Sequence, residues 1–158
     1  MILVGMDMPK MNDLITWREY CQKAFEEAKN EGKPIFLLLT APAWCHWCHV
    51  YEGNNHLYHP DVYPVINERF IPILVDADKR QDLTRLWLEG GWPTTILLTP
   101  DRNKIISYSG AIPVHEILNH LNYAVEFVKN KKTIKTKLEK VTIKDVKIKE
   151  LEEKTFLK

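Results

Sequence analysis

The sequence predicts an α/β sandwich in which helices pack against a mixed central sheet. Short apolar runs at 35–40 and 70–76 have the length and composition of buried strands. Segments with helical periodicity lie between and around these runs, an alternation typical of helices packed on a sheet. A β-rich run at 94–99 is followed by a turn and a return strand at 104–109, which predicts one antiparallel pair.

The first helix is predicted to begin at a capping box, Thr16-Trp-Arg-Glu19, because apolar residues recur at helical spacing after it. Gly32 is placed to end this helix. Cys21 lies on the apolar stripe, so we expect a buried thiol there, since free cysteine is among the most buried residue types. Trp17 and Trp87 are expected in the core.

The later helices follow from local signals. A helix is expected to open at Cys45-His-Trp-Cys48, directly after the first strand. Short helices follow from Pro60-Asp61 to Asn67 and at 80–88. Pro113 fits the first turn of a last helix. The apolar stripe of that helix consists of Val114, Ile117, Leu118, Leu121, Val125 and Val128.

The distribution of charge divides the chain in two. The 158 residues suffice for one domain with its own core, and the formal net charge is +1. Residues 1–130 contain 12 Lys and Arg against 16 Asp and Glu, whereas residues 131–158 contain 10 Lys against 5 acids. We therefore predict a domain at 1–130 and a solvated, Lys-rich extension at 131–158. The apolar spacing in the extension fits a helix or short strands equally well.

Composition also bears on the partners and the cellular location to expect. A net charge of +1 gives no argument for a nucleic-acid partner. The longest apolar stretch is far below the roughly 20 residues that span a bilayer, so we expect no membrane partner. Three cysteines are too few for a secreted disulfide scaffold, and the N-terminal residues lack the basic start of a signal peptide. We expect a cytoplasmic protein.

The motif Cys45-His46-Trp47-Cys48 carries the chemistry. Cys45 falls at the predicted helix start, where unpaired N–H groups and the helix dipole favour an anion. The thiolate is the nucleophile in disulfide exchange, so Cys45 attacks and Cys48 resolves the mixed disulfide. A protonated His46 would further favour the thiolate and make the pair more oxidising. The motif thus predicts a redox-active dithiol that needs no cofactor.

Two other uses of the motif are compatible with these residue types. Cys45 to His49 matches the haem-attachment pattern, but haem attachment normally accompanies export, for which the sequence gives no signal. His46, His49, His56 and His59 lie near the cysteines, and His56-x-x-His59 has the spacing to complete a zinc site. A metal-binding or non-catalytic interaction module therefore stays open as the alternative, although we expect no metal.

Gly91-Trp92-Pro93-Thr94 follows the motif by 45 residues and directly precedes a predicted strand. Proline is allowed at the first residue of a strand. Together with the cysteine motif, this segment makes the chain resemble the thioredoxin superfamily, most closely the thioredoxin-like domains with a Cys-His-Trp-Cys-His signature. Those domains often lie at the N-terminus of long proteins whose remainder resembles an α/α-barrel sugar epimerase. The resemblance rests on Gly32-Lys-Pro34, Trp44 to His49, Val75-Asp76, Gly90-Gly-Trp-Pro93, Leu98-Thr-Pro-Asp101 and Gly110.

The resemblance implies a three-layer sandwich with helices on both faces of the sheet, and a thiol–disulfide oxidoreductase activity. It implies that Pro93 follows a cis peptide bond beside the cysteines and acts with them. The expected partners are client protein disulfides or thiols and a recycling reductase. The expected substrate-binding residues are Trp44, Trp47, Trp92 and Thr94.

The chain departs from the thioredoxin pattern where protons are handled. Many thioredoxins have a buried Asp six residues before the first cysteine and a strand Lys near the site. Leu39 and Leu74 occupy those places. Glu52, one turn after Cys48 on the predicted helix, is the nearest acid that could take over this role.

Overall fold

The structure is a computed structural model that describes residues 13–156. Within that range the chain forms five helices and four strands. In chain order they are α1 (Gln22–Glu31), β1 (Ile35–Thr40), α2 (His46–Tyr51), α3 (Tyr63–Arg69), β2 (Ile71–Asp76), α4 (Gln81–Trp87), β3 (Thr94–Leu98), β4 (Lys104–Ser109) and α5 (Val114–Phe156).

The strands form one mixed sheet in the order β2-β1-β3-β4. β1 pairs in parallel with β2, so that Ile35 faces Ile71 and Thr40 faces Asp76. β1 and β3 are antiparallel, as are β3 and β4. The sheet therefore contains two antiparallel pairs, whereas the sequence predicted only the β3–β4 hairpin. The second antiparallel pair, β1 with β3, exists because β3 lies next to β1 inside the sheet and not at its edge.

Alternate residues of β1 point to the two faces of the sheet, as a strand buried on both sides requires. Ile35, Leu37 and Leu39 pack in one cluster with Phe25 of α1 and Leu83 of α4. The intervening residues Phe36 and Leu38 pack in the other, with Ile66 of α3 and Leu121 of α5. The prediction of an α/β fold with helices on both faces is confirmed.

The predicted helix start at Thr16 is wrong. Arg18 instead forms a parallel β-bridge with Ile73 of β2. Its N–H donates to the Pro72 carbonyl at 2.9 Å, and its own carbonyl accepts from the Leu74 N–H at 3.1 Å. The Arg18 guanidinium also pairs with Glu27 at 2.5 Å. Pairing with the exposed edge of β2 satisfies backbone groups that a capping box would have left to solvent.

The prediction that Cys21 is a core thiol is also wrong. Cys21 is exposed, and it occupies the extended N-cap position immediately before α1. The buried face of α1 consists of Ala24, Phe25 and Ala28. The predicted apolar positions Ala24, Phe25 and Ala28 do face the core, but the N-cap, Cys21, lies five residues after the predicted one, Thr16. Trp17 and Trp87 are partly buried and pack against the two clusters, one on each.

The last helix is longer than expected. α5 runs for 43 residues, so the predicted boundary between residues 130 and 131 falls inside a continuous helix. The Lys-rich extension is helical, and its described side chains are exposed. No helix in the described part of the chain combines the length and hydropathy needed to cross a membrane.

Gly32 offers a test of how α1 ends. It adopts φ 65° at the C-cap, and its N–H donates to the Ala28 carbonyl. Replacing Gly32 with Ala should destabilise the fold by about 1 kcal/mol, because a Cβ disfavours this left-handed conformation. Gly91 is the matched control, since it lies outside the positive-φ glycines and a Cβ there meets nothing within 4 Å.

The measurement is the midpoint of urea unfolding for both variants. Gly91→Ala should shift the stability by less than about 0.5 kcal/mol. Equal losses in the two variants would contradict a specific conformational role for Gly32.

Candidate active site

The cysteine motif lies where β1 leaves the sheet. β1 ends at Thr40, and the Ala41 carbonyl accepts the N–H groups of both Trp44 and Cys45, at 3.2 and 2.9 Å. This turn reverses the chain within four residues and brings Cys45 to the N-cap of α2. The turn and the helix start together determine where the first sulfur lies.

Cys45 and Cys48 are joined by a disulfide bond. The Cys48 N–H donates to the Cys45 sulfur at 3.1 Å, so the sulfur takes the position of an N-cap oxygen. Cys45 is 5% exposed and Cys48 is fully buried. Cys45 is therefore the member of the pair that an approaching thiol can reach first.

Tryptophans surround the disulfide. Trp92 packs against the small cluster formed by Ala41, Cys45 and Cys48. The Trp44 ring meets Trp92 edge to face at 5.3 Å between centroids, and its indole N–H donates to Asp78 Oδ1 at 3.2 Å. Trp44 and Trp47 are 57% and 60% exposed. Because large apolar rings beside a reactive group are typical of binding sites, we call Trp44, Trp47 and Trp92 the tryptophan surface.

The loop before β3 completes the surroundings of the disulfide. The Trp92–Pro93 peptide bond is cis, and the Pro93 carbonyl accepts the Gly110 N–H at 2.8 Å. Thr94 does not lie on the tryptophan surface. Its side chain is fully buried, and its hydroxyl is within hydrogen-bond distance of the carbonyls of Glu89 and Gly91, at 3.1 and 2.8 Å. The hydroxyl of Thr94 therefore holds the loop that carries Trp92 and Pro93.

Glu52 lies at the C-cap of α2, one turn after Cys48. Its N–H donates to the Cys48 carbonyl at 3.0 Å, and its carboxylate accepts the Thr40 hydroxyl at 3.0 Å. Burial raises the pKa of Glu52 above its ordinary value, while the Thr40 hydrogen bond and the charge of His49 partly offset that rise. Leu39, at the place of the thioredoxin Asp, is buried in the apolar cluster on the other face of the sheet.

The histidines of the motif region have separate neighbours. His46 is exposed, and its ring lies 5.4 Å from the Trp47 ring. His49 bonds the Pro42 carbonyl at 2.8 Å, and His56 bonds the Ile112 carbonyl at the same distance. Among residues 13–156, no three His, Cys, Asp or Glu side chains are arranged to hold a metal ion. The zinc alternative would require these rings to leave their present partners.

Sequence reasoning missed several residues of the site. Thr40 contacts Glu52 from the end of β1, which the sequence defined only by its apolar residues, and Asp78 contacts Trp44 from the turn after β2. The Tyr51 hydroxyl bonds Thr95 at 2.8 Å and Tyr108 at 2.7 Å, which joins α2 to β3 and β4. Burial raises the pKa of both tyrosines, to about 12 for Tyr108. Only polar residues at inward strand positions could have indicated these contacts.

The fold and the disulfide define this molecule as a thioredoxin-fold domain with a Cys-x-x-Cys pair. A family model matches residues 8–151, and the description of that family reads Thioredox_DsbH, protein of unknown function, DUF255. The chain belongs to this family. The resemblance to the thioredoxin superfamily drawn from the sequence is confirmed.

Two curated relatives match part of the chain. Uncharacterized protein B0495.5 of Caenorhabditis elegans is 36% identical over 102 residues, which cover 60% of this chain and 14% of that protein. Spermatogenesis-associated protein 20 of Rattus norvegicus is 34% identical over 94 residues, which cover 54% of this chain and 12% of that protein. The match thus spans about one seventh or less of each relative.

Solved structures share the fold. One titled DsbH Oxidoreductase superposes with a TM-score of 0.61 at 18% identity, covering 71% of this chain and 85% of that one. A thioredoxin from Thermus thermophilus gives a TM-score of 0.58 at 24% identity, covering 68% of this chain and 85% of that one. At these identities the likeness concerns the fold.

The raised pKa of Glu52 predicts how stability depends on pH. An acid with a higher pKa in the folded chain binds more protons when folded, so its ionisation lowers stability as pH rises above the ordinary value of 4.5. Replacing Glu52 with Gln removes the charge and keeps an oxygen for the Thr40 hydroxyl. The variant should therefore be at least as stable as the parent protein at pH 7, and any advantage should shrink as pH falls toward 4.5 and be absent below it.

Urea unfolding at neutral and acid pH measures this difference. Glu68→Gln, on the exposed side of α3, is the matched control and should change stability by less than about 0.5 kcal/mol. A Glu52→Gln protein that is clearly less stable than the parent at pH 7, yet equal to it in acid, would contradict the prediction.

Proposed function

We propose that this chain is a thiol–disulfide oxidoreductase that acts on protein disulfides through Cys45 and Cys48. The observation that carries the proposal is the disulfide at the start of α2, with the more accessible sulfur at the N-cap and the resolving sulfur buried one turn later. Disulfide exchange requires an attacking thiolate that a client can reach and a second thiol held within bonding distance.

The proposed reaction is balanced by the two cysteines alone. In the reduced domain, the Cys45 thiolate attacks one sulfur of a client disulfide and releases the other client sulfur as a thiolate, which takes up a proton. Cys48 then loses its proton and attacks the Cys45 sulfur, which frees the second client thiol. The client gains two electrons, and the domain ends in the oxidised state described above. A recycling reductase of the same compartment returns the two electrons.

Glu52 is the proposed proton acceptor for Cys48. Its backbone bonds the Cys48 carbonyl, and its carboxylate is oriented by Thr40 in a partly buried position. Burial raises the pKa of Glu52, which brings the carboxylate closer to the pKa of a thiol and so makes it a better base. The acid and its hydroxyl partner would serve the step for which thioredoxins use a buried Asp.

The tryptophan surface is the proposed docking site for clients. Trp44 and Trp47 expose most of their area, and Trp92 packs against both the Trp44 ring and the cluster that contains the two cysteines. An extended apolar segment of an unfolded or partly folded protein suits such a surface. Pro93 directly follows Trp92 in the chain, and the Thr94 hydroxyl holds the preceding loop through the carbonyls of Glu89 and Gly91.

A thiol count separates this function from a non-catalytic or zinc-binding module. All samples should carry Cys21→Ser, because Cys21 is exposed and would react on its own. The air-oxidised protein should show no free thiol, the reduced protein two, and neither should hold stoichiometric zinc. Two permanently reduced thiols together with one bound zinc would overturn the proposal.

The roles of the two cysteines can be distinguished by trapping. In the Cys21→Ser background, Cys48→Ser should accumulate mixed disulfides with a disulfide-containing client such as insulin, because the resolving thiol is missing. Cys45→Ser should accumulate far fewer, since its remaining thiol is fully buried in the parent structure. Non-reducing electrophoresis and mass spectrometry report the adducts. Adducts that form only on Cys48 would reverse the assignment.

His46 should influence both the pKa of Cys45 and the reduction potential of the Cys45–Cys48 disulfide. A protonated imidazole next to Cys45 favours its thiolate, so His46→Ala should raise the pKa of Cys45 and make the disulfide harder to reduce. Titration of thiolate absorbance and equilibration with glutathione measure the two quantities. His115→Ala, an exposed histidine at the start of α5, is the control and should change neither. Unchanged values for His46→Ala would assign the activation of Cys45 to the helix start alone.

A further inference from the structure

A short loop, residues 88–93, joins α4 to β3 and brings Trp92 to the disulfide. We call it the Trp92 loop. It contains two adjacent glycines, Gly90 and Gly91, and glycine has the widest choice of backbone conformations. A loop of this composition lets the large ring of Trp92 take many orientations unless other contacts order it, and ordering opposes conformational entropy. Contacts that fix the loop therefore determine how the tryptophan surface is presented.

Glu89 attaches the Trp92 loop to β4. Its carboxylate accepts hydrogen bonds from the Lys104 ammonium at 2.6 Å and from the Ser107 hydroxyl. Its backbone carbonyl accepts the Thr94 hydroxyl at 3.1 Å, so Glu89 is held through both its main chain and its side chain. The hydrogen bonds from Lys104 and Ser107 lower the pKa of Glu89 below its ordinary value, and the carboxylate is therefore charged at neutral pH.

An irregularity in β4 places Lys104 and Ser107 on one face of the sheet. Residues three apart on a regular strand point to opposite faces. Consecutive residues of β3 pair with Ile106 and Lys104, so Ile105 is an extra residue in β4, as in a β-bulge. The bulge turns Lys104 to the face of Ser107, and both side chains reach the same carboxylate. Bulges beside active sites commonly redirect a side chain in this way.

The Trp92 loop also lies directly on β4 at Gly90. Gly90 adopts φ 69°, and a Cβ added there would lie 2.9 Å from the Ser109 Oγ. Glycine fits both this conformation and this space, whereas a larger residue fits neither. Glu89 and Gly90 thus form one contact region with β4, two to three residues before Trp92.

The ring at the end of this loop contacts both parts of the site. Trp92 packs against the cluster that contains Cys45 and Cys48, and its ring meets the Trp44 ring at 5.3 Å between centroids. A displacement of the loop would therefore move the surface on which a client lies, while both sulfurs stay with α2 and its N-cap. A small disulfide needs contact only with the sulfurs, so its reaction should not depend on the loop.

We propose that Glu89 is a positioning residue that, through Lys104 and Ser107, holds the Trp92 loop for the binding of protein clients as distinct from small disulfides. The proposal rests on the thiol–disulfide activity proposed above. The Glu89–Lys104 pair is half-exposed, and a pair of this kind contributes little to global stability. Its loss should therefore act on the loop and on client binding, and should leave the folded domain intact.

The first experiment measures the mobility of the loop and needs no activity. Glu89→Ala removes the carboxylate. Glu31→Ala is the matched control, because Glu31 also pairs with a lysine, Lys33, and its side chain is 47% exposed against 48% for Glu89. Nitrogen-15 relaxation of the full chain gives order parameters for the Gly90 and Gly91 amides. In Glu89→Ala they should fall from about 0.85 toward about 0.6, while Glu31→Ala keeps the parent values. Equal order parameters in all three proteins would overturn the proposal.

The second experiment compares a protein client with a small disulfide. The reduced domain, in the Cys21→Ser background, is mixed with insulin or with hydroxyethyl disulfide, and its remaining thiols are alkylated and counted by mass spectrometry. In Glu89→Ala the second-order rate constant with insulin should fall at least about fivefold, and the constant with hydroxyethyl disulfide should stay within about twofold. Glu31→Ala should match the parent with both substrates. An equal loss with both substrates in Glu89→Ala, or no loss with insulin, would overturn the proposal.

A double variant tests whether Lys104 acts through the same contact. Lys104→Ala alone should slow the reaction with insulin, but adding it to Glu89→Ala should cause no further loss beyond about 1.5-fold, because both changes remove one interaction. Losses that multiply in the double variant would overturn the proposal. A parent protein that reacts with neither insulin nor hydroxyethyl disulfide would overturn the thiol–disulfide activity itself, a result distinct from a reactive parent whose variants show no selective loss.

Discussion

Burial of β1 on both faces is the constraint on which the rest of the structure depends. β1 is fully buried, pairs with β2 on one side and β3 on the other, and separates the two apolar clusters. Because its backbone is held on both sides, the point where it ends is fixed as well. The turn at Ala41 then places Cys45 at the start of α2. The position of the disulfide thus follows from the packing of the central strand.

The sequence predicted those parts of the molecule that depend on apolar periodicity. The strands, the short helices and the cysteine motif at a strand–helix junction all follow from local pattern. The start of α1 did not, because the Thr16 capping box competes with strand pairing of Arg18 along β2, and that pairing joins residues far apart in the sequence. The burial of Thr94 and the contact between Thr40 and Glu52 depend in the same way on the neighbours that folding supplies.

Near Cys48, a hydrogen bond between Thr40 and the partly buried Glu52 joins the central strand to α2. Leu39 extends the apolar cluster on one face of the sheet, whereas the adjacent Thr40 bonds Glu52 on the face that carries α2. Since successive strand residues point to opposite faces, a shift of one position moves a polar group from one cluster to the other. Here the carboxylate comes from the helix and only its hydrogen-bond donor comes from the strand.

The continuous helix α5 has a consequence for local unfolding. Its first part buries Ile117, Leu121 and Val128 against the sheet, so opening those turns requires disruption of the core. From residue 131 onward the described side chains are exposed, so opening those turns disrupts no buried apolar core. One helix therefore contains a segment whose backbone amides exchange with solvent only when the domain opens and a segment whose amides exchange by fraying.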